Sequence, residues 1–193
     1  MSFRAPPEAA AWQHHDARTG FEVAYFQALD VGHRIDGYTA AIEDGQTWAV
    51  NYTIWLDPTW TTRRTQITGR SVSGSRRTLL EADGSGRWRI DGEAASYLDG
   101  CLDVDLESSA MTNALPVRRM GLPAGAAAAA PAAYVRALDL AVERLEQHYL
   151  RATDEARHQT YDCTAPAFDF ACRLVYDESG LVLDYPGIAV RAG

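Results

Sequence analysis

A chain of 193 residues, 47% hydrophobic and 23% charged, is long enough for one well-packed domain (1–193, core about 12–191) and ordinary for a globular protein. Its formal charge of −8, with all 18 positive charges on arginine, argues against non-specific nucleic-acid binding, which needs a basic excess. No apolar run approaches the roughly 18 residues of a membrane-spanning helix, and “MSFRAPPEAAAWQHHDARTG” lacks the apolar core of a secretory signal, so a cytoplasmic protein without stable membrane insertion is expected.

From the N-terminus, His14-His15 falls in a segment expected to fray, and His33, His148 and His158 are scattered, so no histidine metal site is assigned. “FEVAYFQAL” (21–29) has aromatic and apolar residues at both parities and reads as a strand buried on both faces. “WAVNYTIWL” has a period of two: Trp48, Val50, Tyr52, Ile54 and Leu56 share one face, and Ala49, Asn51, Thr53 and Trp55 the other. Asp44-Gly45, Asp57-Pro58, Asp83-Gly84 with Gly86, Asp91-Gly92 and Ser179-Gly180 punctuate such runs as turns. The pattern predicts an antiparallel all-β sheet or barrel. “MTNALPVRRM” predicts a short helix with Thr112 or Asn113 as N-cap and Pro116 in its first turn. “GAAAAA” (125–130) reads as a surface loop or tether. Residues 132–152, rich in Ala, Leu, Glu and Arg, predict a helix by propensity, although Tyr134, Arg136, Leu138, Leu140, Val142 and Arg144 also alternate as a strand would. Cys101, Cys163 and Cys172 have no ligand spacing and read as reduced core residues.

Three features carry chemistry. On a strand, Asp103 and Asp105 share a face about 6.5–7 Å apart, with Glu107 following. They suit a divalent metal, an acid/base pair, direct ligand contact, or charge pairing with Arg63, Arg64, Arg87, Arg89, Arg118 or Arg119. No further metal ligands are identifiable, so no metal and no cofactor are assigned. The runs “TTRRT”, “GRWRI” and “PVRRM” offer guanidinium forks for a carboxylate, phosphate or sugar hydroxyl, or a solvated strand face. Trp12, Trp48 and Trp88 read as core. Trp55 and Trp60 flank the Asp57-Pro58-Thr59 turn beside Arg63; core packing is the better reading of Trp55, and Trp60 is equally a core residue or a ligand wall. No Gly-x-Ser-x-Gly, P-loop or dinucleotide fingerprint is present.

“GCLDVDLESSAMTNALPVRRM” (100–120) resembles the signature block of a bacterial glycolipid-binding family, whose members carry Asp-x-Asp followed by Thr-Asn-x-Leu-Pro-x-Arg-Arg. “GFEVAYF”, “VNYTIWLDPTWTTRRTQI”, “DGSGRW”, “QHYLRA” and “YDESGLVLDYPGIAVR” match in order from about Trp12 to Arg191. At Ala110 and Met111 the chain departs from the family pattern, which often has a proline and an aromatic before Thr-Asn. The resemblance implies a mainly β, single-domain spiral β-roll: a long antiparallel sheet wrapped around one α-helix, similar in shape to lipoprotein carriers, and dimeric. It puts the helix near 109–120 and makes 132–152 strand. It further implies a non-enzymatic protein that holds an amphipathic small molecule, a glycolipid or fatty-acyl conjugate, in the groove of the roll. The alternatives are an enzyme acting on such a ligand through the acidic pair, or a dimeric interaction module without a ligand. The candidate ligand contacts are Trp55, Trp60, Arg63, Asp103, Asp105, Thr112, Asn113, Arg118, Arg119 and Tyr185, with Asp103 and Asp105 bracing Arg118 or Arg119.

Overall fold

Alternation decides most of the architecture. In the computed structural model, which describes residues 3–154 and 157–193, the strands β1 (Ala9–His14), β2 (Thr19–Ala28), β3 (His33–Glu43), β4 (Gln46–Leu56), β5 (Thr62–Ser71) and β6 (Gly74–Ala82) form an antiparallel meander. The short β7 (Trp88–Ile90) and β8 (Glu93–Ala94) extend it. The chain then leaves the sheet through β9 (Asp103–Leu106), a 3-10 turn (Met111–Asn113) and α1 (Ala114–Met120), the one α-helix among the described residues. β10 (Ala127–Ala129), β11 (Ala132–Val135), β12 (Val142–Leu145), β13 (His148–Arg151), β14 (Gln159–Ala165), β15 (Phe170–Tyr176), β16 (Val182–Tyr185) and β17 (Ala189–Ala192) follow.

Among the described residues these strands make two sheets. The larger has 14 strands, in the order β10-β13-β14-β15-β16-β17-β1-β2-β3-β4-β5-β6-β7-β8; the smaller is β12-β11-β9, with β9 and β11 parallel. The last strand therefore pairs with the first, and the long sheet runs unbroken from β10 to β8. Its inner face, including Trp12, Ile35, Trp48, Ile54, Ile67 and Leu80, packs on Val104, Leu106, Met111, Ala114 and Leu115. A second cluster, Tyr149, Tyr161, Leu174 and Tyr176, receives Val117 from the opposite side of the helix. Ala114, Leu115, Pro116 and Val117 are all buried, as a helix enclosed by a rolled sheet must be.

The alternation of β4 holds, with Trp48 to Leu56 inward. Asp44-Gly45 and Asp91-Gly92 both take positive φ, the geometry of a two-residue hairpin that continues strand twist. Four expectations are corrected. β2 is not buried on both faces: Glu22 and Ala24 point inward, while Phe21 and Tyr25 are about half exposed. The helix that propensity predicts over 132–152 gives way to three four-residue strands, as the resemblance implies, because pairing of β11 with β9 and β12, and of β13 with β14, overrides helix propensity. The alanine block is an edge strand, with Ala127–Ala129 paired to β13 and Ala130 buried, since small side chains fit against the neighbouring strand. His14 lies in β1 and is buried rather than frayed. Cys101 and Cys163 are buried and free, and Cys172 is free and half-buried.

Candidate functional site

The junction of β9 and α1 brings Asp103, Asp105, Thr112 and Arg119 together. Val104 and Leu106 turn into the core, leaving Asp103 and Asp105 on the opposite face as the strand period requires. Arg119 grips Asp103 bidentately: Nε donates at 3.0 and 3.2 Å and Nη2 at 2.6 Å. Burial pushes the Asp103 carboxyl up, and Arg119 pulls it back. Asp105 accepts from the Thr112 hydroxyl at 2.9 Å and from Gln147 Nε2 at 2.7 Å. Burial raises its carboxyl to about 6; the two hydrogen bonds lower it, and the charges of Asp103 and Glu107 add to the rise. Asn113 occupies the residue before α1 but does not cap it; its carbonyls are used by Tyr149 and Tyr176. The preceding 3-10 turn supplies acceptors for the Ala114 N–H instead, so Thr112 is free to bridge to Asp105. Here the brace falls to Asp103 and Arg119 alone.

Behind this junction lies an internal cavity of about 120 Å³. Asp105, Asn113, Gln147 and Tyr185 meet at its wall, with Arg18 and Glu107 close by, and Phe168, Phe170 and Ile188 give the apolar side. Phe168 is 43% exposed, so that side opens toward solvent. The volume admits several waters or one small ring, and falls well short of an extended acyl chain.

Trp60 and Arg118 occupy a different place, a cleft of about 490 Å³ at the C-terminal end of α1. The Arg118 guanidinium lies 3.8 Å from the Trp60 ring centre and the His33 ring 4.5 Å from it, and Trp60 is 7% exposed. Little of its face is free to stack on a sugar. Trp60 also has φ +70°, a left-handed conformation rare for a bulky residue, held by its N–H to the Asp57 carbonyl at 3.0 Å. Gly180, at φ +72°, lets Phe3 and Arg118 approach closely; a Cβ there would sit 2.9 Å from the Phe3 ring. Trp55 is not core. It is half-buried on the outer face, with Arg34 and Arg64 at 5.6 and 5.2 Å from its ring. Arg63 is 44% exposed and 4.0 Å from Asp57. The ten candidates thus divide between the cavity wall, the brace, the outer cleft and the surface.

A family model described as “Putative glycolipid-binding” matches residues 9–191. The chain belongs to this family. The crystal structure of a DUF1089 family protein from Pseudomonas aeruginosa is 31% identical, with a TM-score of 0.76, and the match covers 98% of this chain and 95% of that one. A beta-barrel-like protein of DUF1849 from Brucella abortus covers 98% of this chain and 96% of its own at 12% identity and a TM-score of 0.57, a likeness of fold alone. A search of curated proteins found no match. In this family member the Asp-x-Asp and Thr-Asn elements face each other across one cavity wall, joined by the hydrogen bond from Thr112 to Asp105.

Several residues at the site carry no strong sequence signal. Glu22 is fully buried and accepts from Tyr52 Oη at 2.7 Å, from Ser109 Oγ, and from the Ala110 and Met111 amides at 2.7 and 3.4 Å. It ties the start of the 3-10 turn to β2, and burial raises its carboxyl. A carboxylate in an otherwise aromatic strand was the available clue. Gln147 and Arg18 come from segments whose positions in space no motif announces. Arg18 donates to the Glu107 carbonyl at 2.6 Å and lies 5.4 Å from the Trp48 ring. Among the described residues no group of three or more His, Cys, Asp or Glu could hold a metal ion, and no helix is long and apolar enough to cross a membrane.

Proposed function

We propose that the chain is a non-enzymatic binding protein for an amphipathic small molecule, a glycolipid or fatty-acyl conjugate, with its hydroxyl-rich head in the Asp105 cavity. The observation that carries this reading is the convergence of Asp105, Asn113 and Gln147 on a small cavity that Phe168, Phe170 and Tyr185 also line, the last two in edge-on ring contact at 5.9 Å. Planar polar groups together with aromatic rings suit a ring bearing hydroxyls, which needs donors and acceptors at its edge and apolar contact on its face. The cavity takes the head; the acyl part then lies across the partly exposed rim of Phe168 and Phe170. Native mass spectrometry of protein from its own cells, followed by organic extraction, tests it. A near-stoichiometric lipid lost in Asp105→Ala supports the reading, whereas empty protein from every preparation turns it toward an interaction module.

The raised Asp105 carboxyl favours a second reading, an enzyme in which Asp105 is a general acid–base group, since a carboxyl at about 6 exchanges its proton far closer to neutrality than an ordinary one. Turnover of an extracted ligand that Asp105→Asn abolishes while binding persists would decide for it. We also propose that the chain is a homodimer, as the family resemblance implies. Supporting it is the contiguous outer-face patch of Phe21, Tyr25, Tyr38 and Ile42, each about half exposed. Sedimentation velocity on wild type and Tyr38→Glu is expected to show dimer and monomer respectively.

A further inference from the structure

We infer that the cleft beside Trp60 is a second site, built to take an oxyanion of the phosphate or sulfate class, separate from the Asp105 cavity and independent of what fills it. Two guanidiniums, Arg118 and Arg151, line this cleft with Phe3, Trp60 and the 121–123 loop, and among the described residues no acidic side chain lines it. Arg118 has no carboxylate within ion-pair distance among the described residues. Its Nη1 donates to the Ser179 carbonyl and, at 3.1 Å, to that of Arg4, and among the described residues its buried Nε has no acceptor. Asp177 acts on it only from a distance, because that carboxylate already accepts from the Ser179 and Leu181 amides and faces Arg191 at 3.8 Å. Arg151 is bound to Asp154 at 2.6 Å and to the Leu122 carbonyl at 2.9 Å, yet its Nε is also buried with no acceptor.

A half-buried cation without a counterion is costly unless something completes it. The Trp60 ring holds the Arg118 fork in place from one side, and the left-handed Trp60 backbone is what brings that ring to the guanidinium. The result is an oriented fork beside a second guanidinium, Arg151, whose partner Asp154 is not among the described residues that line the cleft, which is the donor set an oxyanion requires.

Isothermal titration of the full chain with inorganic phosphate, and with dihexanoyl phosphatidic acid below its micelle concentration, tests this. Saturable binding of at least one probe is expected, weakened about tenfold or more in Arg118→Gln. Pro123→Glu, which sets a negative charge on the exposed loop at the rim, should weaken it too, while Arg76→Gln, an exposed charge on β6, leaves it unchanged. Binding of both probes marks a site for free oxyanions; binding of the lipid alone marks a head-group site. Thermal melting checks that each variant folds, and if Arg118→Gln does not, Pro123→Glu decides. Absence of saturable binding to either probe, or wild-type affinity in the folded variants, overturns the assignment.

Discussion

Removing the Asp103 carboxylate leaves Arg119 with its fork aimed at nothing, 15% exposed and beneath the helix it belongs to. Breaking a buried pair from one side costs about 3–5 kcal/mol, because the remaining charge stays desolvated. Asp103→Ala is therefore expected to lose about that much in urea unfolding; an unchanged midpoint would remove the brace from the account. Asp105 and His14 give opposing pH effects. Burial, with help from Arg18 and His15, lowers His14 to about 4, and among the described residues neither ring nitrogen has a hydrogen-bond partner. Between 6.5 and 4 the unfolded chain takes up a proton that folded His14 refuses, so stability falls with falling pH by up to about 1.4 kcal/mol per unit. Asp105, raised to about 6, does the reverse: from 6 down to its ordinary value near 3.8 the folded state holds the proton, and stability rises as pH falls. The two slopes offset each other over pH 4–6. Asp105→Asn removes one, so between pH 6 and pH 4 the variant should lose about 3 kcal/mol more than wild type does. Parallel stability-pH curves for the two would show that Asp105 does not carry that proton.

At the scale of elements, what could be read in the sequence was whatever the strand period writes directly. β4, the hairpins at Asp44-Gly45 and Asp91-Gly92, and the shared face of Asp103 and Asp105 follow from alternation and turn chemistry alone. The segment 132–152 does not, because its fate is settled by partners distant in sequence: Ala132–Val135 lies beside Asp103–Leu106, and His148–Arg151 beside Tyr161–Thr164. A synthetic peptide of residues 132–152 is expected to show helical circular dichroism that strengthens in trifluoroethanol, although the same residues are strand in the protein. A peptide without helix would mean that local preference already opposes it. The cavity was half legible for the same reason. Asp105, Thr112 and Asn113 fall in one motif, whereas Gln147, between β12 and β13, and Phe170, on β15, reach it from segments that only the roll brings close. Gly37 shows how such long-range fits constrain single positions. Tyr52, its cross-strand partner, lies over it so closely that a Cβ would sit 2.0 Å from the ring. Gly37→Val should displace Tyr52 from Glu22 and destabilise the start of the 3-10 turn by about 2–4 kcal/mol, read as a lower melting temperature.

For the whole molecule the decisive contact is the one between its ends. β17 pairs on one side with β1, from Ala11 opposite Ala192 to His14 opposite Ala189, and on the other with β16. It is the single strand joining the sheet half that holds the Tyr149, Tyr161 and Tyr176 cluster to the half that holds Trp12, Trp48 and Ile54. Beneath this seam the Trp12 indole N–H donates to the Val182 carbonyl at 2.7 Å, crossing from β1 to β16 with no exposure to solvent. A chain stopped after Gly187 would lose both ladders, leave β1 and β16 as new edges and open a path to Trp12. Loss of packing around one large buried aromatic alone is worth about 3–5 kcal/mol, against a total stability of about 5–15 for a domain. The truncated chain is therefore expected to lose its cooperative urea transition and to bind hydrophobic dye. Val190→Ser, which alters a 40% exposed side chain on the same strand, should unfold within about 0.5 kcal/mol of wild type. A truncated chain that still unfolds in one sharp transition would mean that the two halves are held by the helix and the smaller sheet rather than by the strand that closes the roll.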